Sequence, residues 1–534
     1  LARSIPAIKN QAEELKMTSQ LPEVVQALLN PGIYPEQPAE IKLVQTQMSF
    51  VFLAGEYAYK IKKPVNLGYL DYTTLEQRRF FCEQELRLNR RLCEKAYLAV
   101  LPVVRTPSGI SLGGDGEILE YAVKMRKLPQ ERMLSALLEH NQVSPEMLLP
   151  LAIRLVEFHT RAQTGPQISA MGTIAAIRVN ADENFTQTEK YIGKTITAQQ
   201  FRQIKEFTEL TLQSKARIFN QRVSGGRIRD CHGDLHAGHI CFEDGICVFD
   251  CIEFNDRFRY CDVASEIAFL AMDLDHYGRA DLSRAFINAY VEHSQDYQIR
   301  EILKFYKCYR AYVRGKVSCF KYDDPYITGT EQQRALEDAR SYFDLAGSYT
   351  RSKPLILITI GLVGTGKTTL ANALAKRLGL TIISSDVVRK QLAGIPPTEH
   401  RFEAADAGIY SPEFTRRTYD RLFTEAKAIL NTGDSVILDA SFINRAERIR
   451  AMELAKTENA EFLAIELNLD EESIQQRLNE RLKGTSVSDG RWEIYHPQKQ
   501  KFDAVDEIPM ENHLVLDASA PLNEQVNAVV SRFV

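Results

Sequence analysis

Leu355-Ile-Leu-Ile-Thr-Ile360-Gly361-Leu-Val-Gly364-Thr365-Gly366-Lys367-Thr368-Thr369 is the stretch from which the rest of the chain can be read. Leu355–Ile360 is a continuous apolar run, the pattern of a strand buried on both faces. Gly361 to Thr368 then fits G-x-x-x-x-G-K-[ST] in full, and Thr369–Leu378 continues at helical spacing. In such a turn the glycines let successive backbone N–H groups close round an anion, and the helix N-terminus adds its partial positive charge. Gly361, Gly364, Thr365, Gly366 and Thr369 are therefore expected to line a phosphate cradle. Lys367 is expected to reach the β- and γ-phosphates of ATP, and Thr368 to hold Mg²⁺ through its hydroxyl.

Further apolar strand runs recur at Leu380–Ser384, Ser435–Leu438, Glu461–Leu467 and His513–Leu516, with helical patterns between them. That alternation predicts an α/β domain with a parallel sheet wrapped by helices. The run after the phosphate motif, read as the neighbouring strand, ends at Ser384-Ser385-Asp386-Val-Val-Arg389. A carboxylate there faces the crevice at the strand C-termini, where it can take a proton from an attacking hydroxyl; Arg389 lies one helical turn on. Val436-Ile-Leu-Asp439 is an apolar strand ending in Asp, suited to support the metal. Arg477 and Arg481 share one helix face, where a lid can neutralise charge on the transferring phosphoryl group. Together these residues resemble the small P-loop kinases of the gluconate kinase, polynucleotide kinase and zeta-toxin type. The resemblance covers Lys353–Val534 and implies γ-phosphoryl transfer from ATP to a hydroxyl with Asp386 as base. His400–Phe414 is expected to shape the acceptor pocket.

The densest polar cluster lies elsewhere, at Asp230-Cys-His232-Gly-Asp234-Leu-His236-Ala-Gly-His239, followed by a hairpin and Val248-Phe-Asp250-Cys-Ile-Glu253. Three histidines and five cysteines fall between Cys231 and Cys261, but the cysteine spacings fit no zinc pattern. HGD, a five-residue step to a metal ligand, a hairpin and then Asp is the order of a kinase catalytic loop. The loop HGDLHAGH resembles the HGDLHxxN loop of the aminoglycoside phosphotransferase branch, and the resemblance spans roughly 41–349. It implies a two-lobed protein-kinase-like domain with Asp234 as catalytic base, His232 supporting the loop and Asp250 holding Mg²⁺. His239 stands where that family has a metal-binding Asn, with Glu253 a candidate to compensate. Upstream, Lys60 matches the phosphate-binding lysine, with Lys62 second; Glu85 is its expected ion-pair partner, with Glu83 as fallback. The backbone near Met125 is placed to bind adenine, the turn around Gln47–Ser49 to cover the phosphates, and Asp262 to brace the catalytic loop.

The remaining calibration is compositional. The 534 residues suit several domain-sized units, and 44% hydrophobic with 25% charged residues is globular composition. A net charge of −4 gives no bulk electrostatic case for nucleic-acid binding, and no apolar run is long enough to span a membrane. Nine cysteines, an odd number without a C-x-x-C pair, argue for a reducing, cytoplasmic setting; the last is Cys319. Residues 1–16 are read as a tail preceding a natural start at Met17, residues 17–349 as the first kinase domain (lobes about 17–124 and 130–349), and 350–534 as the second. The function expected is a bifunctional ATP- and Mg²⁺-dependent phosphotransferase acting on small-molecule hydroxyls. The alternative is a C-terminal nucleic-acid or nucleotide-sugar kinase, regulated by an N-terminal pseudokinase that senses nucleotide or binds a partner. Arg389, Arg416, Arg417, Arg445, Arg448 and Arg450 are the residues that would hold its polyanionic substrate.

Overall fold

A computed structural model describes residues 21–533 except 325–326, 397–398, 401–402, 404–405 and 482–488, together with the backbone but not the side chain of Arg481. The expected tail and Met17 lie outside the described residues. The chain divides into two compact units. One takes the residues up to Asn180 with Leu212–Leu270 and Ala285–Leu303; the other takes Ala181–Thr211, Ala271–Arg284 and the chain from Lys304. No described helix is long and apolar enough to cross a membrane.

The first unit opens with β1 (Ile41–Gln45), β2 (Ser49–Ala54), β3 (Tyr57–Lys62), β4 (Tyr97–Thr106), β5 (Gly109–Leu112) and β6 (Glu117–Arg126). They form one antiparallel sheet in the order β1-β2-β3-β6-β4-β5. Alternation over Ile41–Pro64 reads as a single hairpin, whereas the structure makes three strands of it. The reason is local: the Thr46 hydroxyl accepts from the N–H groups of Met48 (3.2 Å) and Ser49 (2.9 Å), closing a turn inside what looked like one strand.

Helix α1 (Leu75–Cys93) starts at a reciprocal cap, Thr74 accepting from Gln77 N–H while the Gln77 side chain accepts from Thr74 N–H. Its buried face carries Cys82, Glu85, Leu88, Asn89 and Leu92, so charge and amide sit among the apolar side chains it packs with. The catalytic-loop segment is built from very short strands: β7 (Ile228–Asp230), β8 (Ile240–Cys241), β9 (Cys247–Val248) and β10 (Tyr260–Asp262). β7 pairs with β10 and β8 with β9, and α2 (Val263–His276) follows. The cysteine reading needs correction here. Cys93, at the end of α1, and Cys247, on β9, form a disulfide across 154 residues of chain, while the seven others are free. Packing of α1 against the catalytic hairpin makes this pair, and no cysteine spacing announces it.

In the second unit β11 (Leu355–Ile360), β12 (Thr381–Ser384), β13 (Val436–Asp439), β14 (Glu461–Asn468) and β15 (His513–Asp517) form an all-parallel sheet ordered β12-β13-β11-β14-β15. All six residues of β11 are buried. Leu355 and Leu357 pack with Leu370, Leu374 and Val529 on one face, and Ile356, Ile358 and Ile360 with Leu422 and Phe442 on the other. A strand with a core on both sides cannot alternate with polar residues, which is why it reads as an unbroken apolar run. The helices that position the site are α3 (Lys367–Leu378), α4 (Ser385–Leu392), α5 (Pro412–Leu430) and α6 (Glu471–Arg481). One expectation fails: β12, which leads to Asp386, is not the neighbour of β11, because β13 lies between them.

Candidate active sites

In the first unit, the pleat turns Lys60 and Lys62 of β3 to the same face, and one carboxylate meets both. Glu85 Oε1 lies 2.9 Å from Lys60 Nζ, and Oε2 lies 2.8 Å from Lys62 Nζ. Lys60 also reaches Asp250 Oδ1 at 3.1 Å. The expected Lys60–Glu85 pair is present, and the fallback Glu83 is exposed and paired with Arg79 instead. Glu253 holds no metal position: it is ion-paired with Lys62, and Tyr72 donates its hydroxyl to it at 2.8 Å. Burial opposes the charge on Lys60, but the carboxylates of Asp250, Glu85 and Glu253 prevail and hold its ammonium well above the ordinary range. Burial likewise opposes ionisation of Asp250, and Lys60 and His239 overcome it, keeping the carboxylate well below its usual value.

Asp250 sits at φ +60°, a left-handed backbone that a side chain of this kind rarely adopts. Three groups secure that conformation: Asn89 of α1 accepts from Cys251 N–H at 2.8 Å, Asp250 N–H donates to Tyr97 OH at 3.3 Å, and Lys60 takes the carboxylate. The catalytic loop is held as firmly. His232 accepts on Nδ1 from Asp234 N–H (3.3 Å) and donates from Nε2 to Phe249 O (2.9 Å). Burial pushes its pKa down to about 3, with His239 and Arg91 adding to the effect, so the ring is neutral near pH 7.

The brace beneath this loop is not Asp262. Asp262 accepts two hydrogen bonds from the buried Arg222, at 2.6 and 2.7 Å, which also binds Asp296. Glu266 of α2 does the bracing, accepting from the backbone N–H groups of His232 (2.7 Å) and Gly233 (3.0 Å). Arg91 of α1 binds the loop from the other side through Asp230 O (2.9 Å) and Cys231 O (2.8 Å). Glu266 lies one helical turn past Asp262 inside an apolar helix, and a buried-looking Glu in DVASEIAFL was the available signal.

Asp234 and Asp250 are brought together through His239. Its Nδ1 is 3.4 Å from Asp234 Oδ2 and its Nε2 is 3.5 Å from Asp250 Oδ2. Asp234, His236 and His239 together could hold a metal ion. This cluster uses no cysteine, which is why the cysteine spacings were no guide to it. Met125 lies in β6, paired with Ala58 and Tyr97, so its backbone belongs to the sheet, and the connection through Lys127 follows directly.

In the second unit Gly364 and Gly366 have φ of +85° and +95°, and a Cβ on Gly364 would meet Ile474 and Leu478 of α6 at 3.0 and 3.1 Å. The loop therefore needs glycine for its backbone and for the close approach of α6. Lys367 Nζ donates to Leu362 O at 2.7 Å, within its own loop. Thr368 Oγ1 donates to Asp439 Oδ2 at 2.8 Å, an all-oxygen pair that fits Mg²⁺. Burial raises the Asp439 carboxyl above its ordinary value against the opposing pull of Thr368 and Lys367; Asp386 is close enough to add to the rise. Arg477 leans over the loop, 3.5 Å from Thr365 O, and donates to Ala518 O at 2.9 Å. The side chain of Arg481 lies outside the described residues.

Arg389 packs against the segment expected to shape the acceptor pocket. Its Nη1 donates to Ile409 O and Thr415 Oγ1 and its guanidinium lies 4.8 Å from the Tyr410 ring centroid, while Nε is buried without a hydrogen-bond partner among the described residues. Behind it, Asp489 accepts from Tyr410 OH at 2.8 Å and pairs with the buried Lys390 at 3.2 Å and with His400 at 3.0 Å. Ninety-nine residues separate Lys390 from Asp489, so no motif marks this pair. Of the six arginines expected to hold a polyanion, Arg445, Arg448 and Arg450 are engaged within the protein. Arg448 is fully buried on Glu507 and the carbonyls of Phe442, Ile443 and Ala504. Arg445 pairs with Asp506, and Arg450 with Asp420 and Glu447.

The chain is a phosphotransferase fusion of kinase type. Residues 81–303 match the phosphotransferase enzyme family, and residues 356–504 match an AAA domain family. The chain belongs to the family of uncharacterized proteins of Mycobacterium tuberculosis and Mycobacterium bovis that are 31% identical to it over 448 residues, 84% of this chain and 87% of theirs. Among solved structures, a gluconokinase from Sinorhizobium meliloti matches 34% of this chain and 93% of its own, at 18% identity and TM-score 0.25. An amicoumacin kinase in complex with AMP-PNP, Ca²⁺ and Ami matches 62% of this chain and 96% of its own, at 15% identity and TM-score 0.38.

Proposed function

We propose that the chain carries two separate phosphotransferase sites, each transferring the γ-phosphoryl group of ATP to a hydroxyl of a small molecule in the cytoplasm. The observation that supports this reading is that each unit by itself holds a lysine and two carboxylates, which we assign to the phosphates, the metal and the acceptor. In the first unit these are Lys60, Asp250 and Asp234; in the second, Lys367, Asp439 with Thr368, and Asp386. Mg²⁺ suits the second set, whose donors are all oxygen, and supplies charge neutralisation on the phosphates.

In each transfer the acceptor oxygen bonds to the γ-phosphorus, the bond from phosphorus to the β,γ-bridging oxygen breaks, and the hydroxyl proton passes to the carboxylate of Asp234 or Asp386. At the second site Arg477, already over the phosphate loop, counters the developing charge, and Arg481 is assigned the same role. In the first, Met125 marks the adenine side. The residues 17–349 and 350–534 are the proposed domains. The polyanion-kinase alternative loses its support with Arg445, Arg448 and Arg450 bound internally.

A γ-labelled ATP screen over sugars, nucleosides, RNA 5′ ends and aminoglycosides tests this. Asp234→Ala is expected to abolish one acceptor's labelling and Lys367→Ala another's. If Asp234→Ala leaves every activity intact, the two-enzyme reading fails and the first unit is a regulatory nucleotide sensor.

A further inference from the structure

We propose that the metal position of the first site is built for a first-row divalent cation that accepts nitrogen, with Mn²⁺ preferred over Mg²⁺, and that His239 Nε2 and Asp250 Oδ2 are its protein ligands. This rests on the reading of Asp234 and Asp250 as a nucleotide site.

His239 is about nine-tenths buried, and its Nδ1 lies 3.0 Å from the backbone oxygen of Asp234. A carbonyl oxygen only accepts, so Nδ1 carries a proton and Nε2 is the nitrogen left to meet an ion. That is the arrangement of a metal-binding imidazole whose second nitrogen is anchored on a backbone carbonyl. Nε2 looks across 3.5 Å at Asp250 Oδ2. Two donors at that separation can share one ion at roughly 2.0–2.2 Å from each.

The surroundings reserve these two atoms. Lys60 occupies Asp250 Oδ1, leaving Oδ2 toward His239. His236 stacks on His239 with ring centroids 3.9 Å apart, but its Nδ1 accepts from Gly238 N–H, so its proton is on Nε2 and it is no ligand in this tautomer. An imidazole in place of an amide oxygen disfavours Mg²⁺, a hard cation that takes oxygen, and admits Mn²⁺, which accepts both.

The test uses the full chain carrying Lys367→Ala, so that the second site does not contribute. Mn²⁺ is titrated with AMP-PNP and followed by electron paramagnetic resonance, with Mg²⁺ as competitor, beside the same chain with His239→Asn. Two results are expected: a ¹⁴N coupling in pulsed spectra that His239→Asn removes, and a fall of about 10-fold or more in the Mn²⁺-over-Mg²⁺ preference on that substitution. Mn²⁺ bound without ¹⁴N coupling, or an unchanged preference in His239→Asn, overturns the proposal while leaving the nucleotide-site reading in place. Failure of AMP-PNP itself to bind, read by calorimetry, overturns both.

Discussion

The two sites hold their phosphate-directed lysines in opposite ways. Lys367 bonds a carbonyl five residues away in its own loop, whereas Lys60 bonds Asp250 across 190 residues and shares Glu85 with Lys62. The lysine of the second unit is placed locally, by one strand, one turn and one helix. The first is a long-range device that exists only when β3, α1 and the Asp250 turn have docked. The contrast extends to energetics. Lys62 and Glu85 are almost entirely desolvated, so the pair defends itself chiefly by punishing the loss of either partner.

The comparison breaks first at Lys62. Lys62→Met leaves Glu253 and Glu85 buried with too little positive charge, and is expected to lower stability by about 3–5 kcal/mol in chemical denaturation. Lys367→Met removes the hydrogen bond to Leu362 O and the charge that pulls on Asp439, and is expected to cost about 1 kcal/mol while abolishing nucleotide binding at its own site. Equal losses in the two variants would refute the contrast.

A smaller effect sharpens it through pH. Burial works against the Glu85 carboxylate, and Lys60 and Lys62 nonetheless keep its pKa below the ordinary value. A carboxyl depressed on folding contributes stability that is fully present above its unfolded pKa of about 4.3 and is lost as pH falls through the folded one. Lys60, raised on folding, contributes below about 10.4 and loses that contribution as pH climbs through its folded value. Denaturation midpoints are therefore expected to sit on a plateau between these limits, with an acid limb that Glu85→Gln flattens. An acid limb identical in Glu85→Gln would show that the pair does not link folding to pH.

The smallest effect concerns how α1 is started. Thr74→Ala removes one half of the reciprocal cap and is expected to cost about 1 kcal/mol without altering nucleotide affinity at the second site. Calorimetric unfolding of the full chain reads the shift, and a loss several times larger would mean that Thr74 positions Glu85 as well as capping the helix.

Legibility follows the same division. The strand–loop–helix around Lys367 was readable because each part of its chemistry is adjacent in sequence, and the apolar runs of the parallel sheet marked all five strands. The sheet order was not readable: adjacency along the chain suggested β12 beside β11, and only crossover packing places β13 between them. In the first unit the HGD loop and Asp250 stood out as a polar cluster, and Lys60 and Glu85 by their order along the chain. The partners that make the cluster work did not stand out. Glu266 was passed over for Asp262, since both are acids at the head of one helix and only burial against Arg222 or the loop tells them apart. Glu253 looked like a metal ligand until Lys62 and Tyr72 claimed it. The Cys93–Cys247 bond and the Lys390–Asp489 pair left no trace in spacing.

By itself, then, the sequence determined the two kinds of domain and the residues proposed to meet phosphate, because those depend on short-range geometry and on periodic burial. Tertiary structure decided which charge answers which, because a desolvated ion must find its partner in space, and nothing in the order of residues says how near that partner will be.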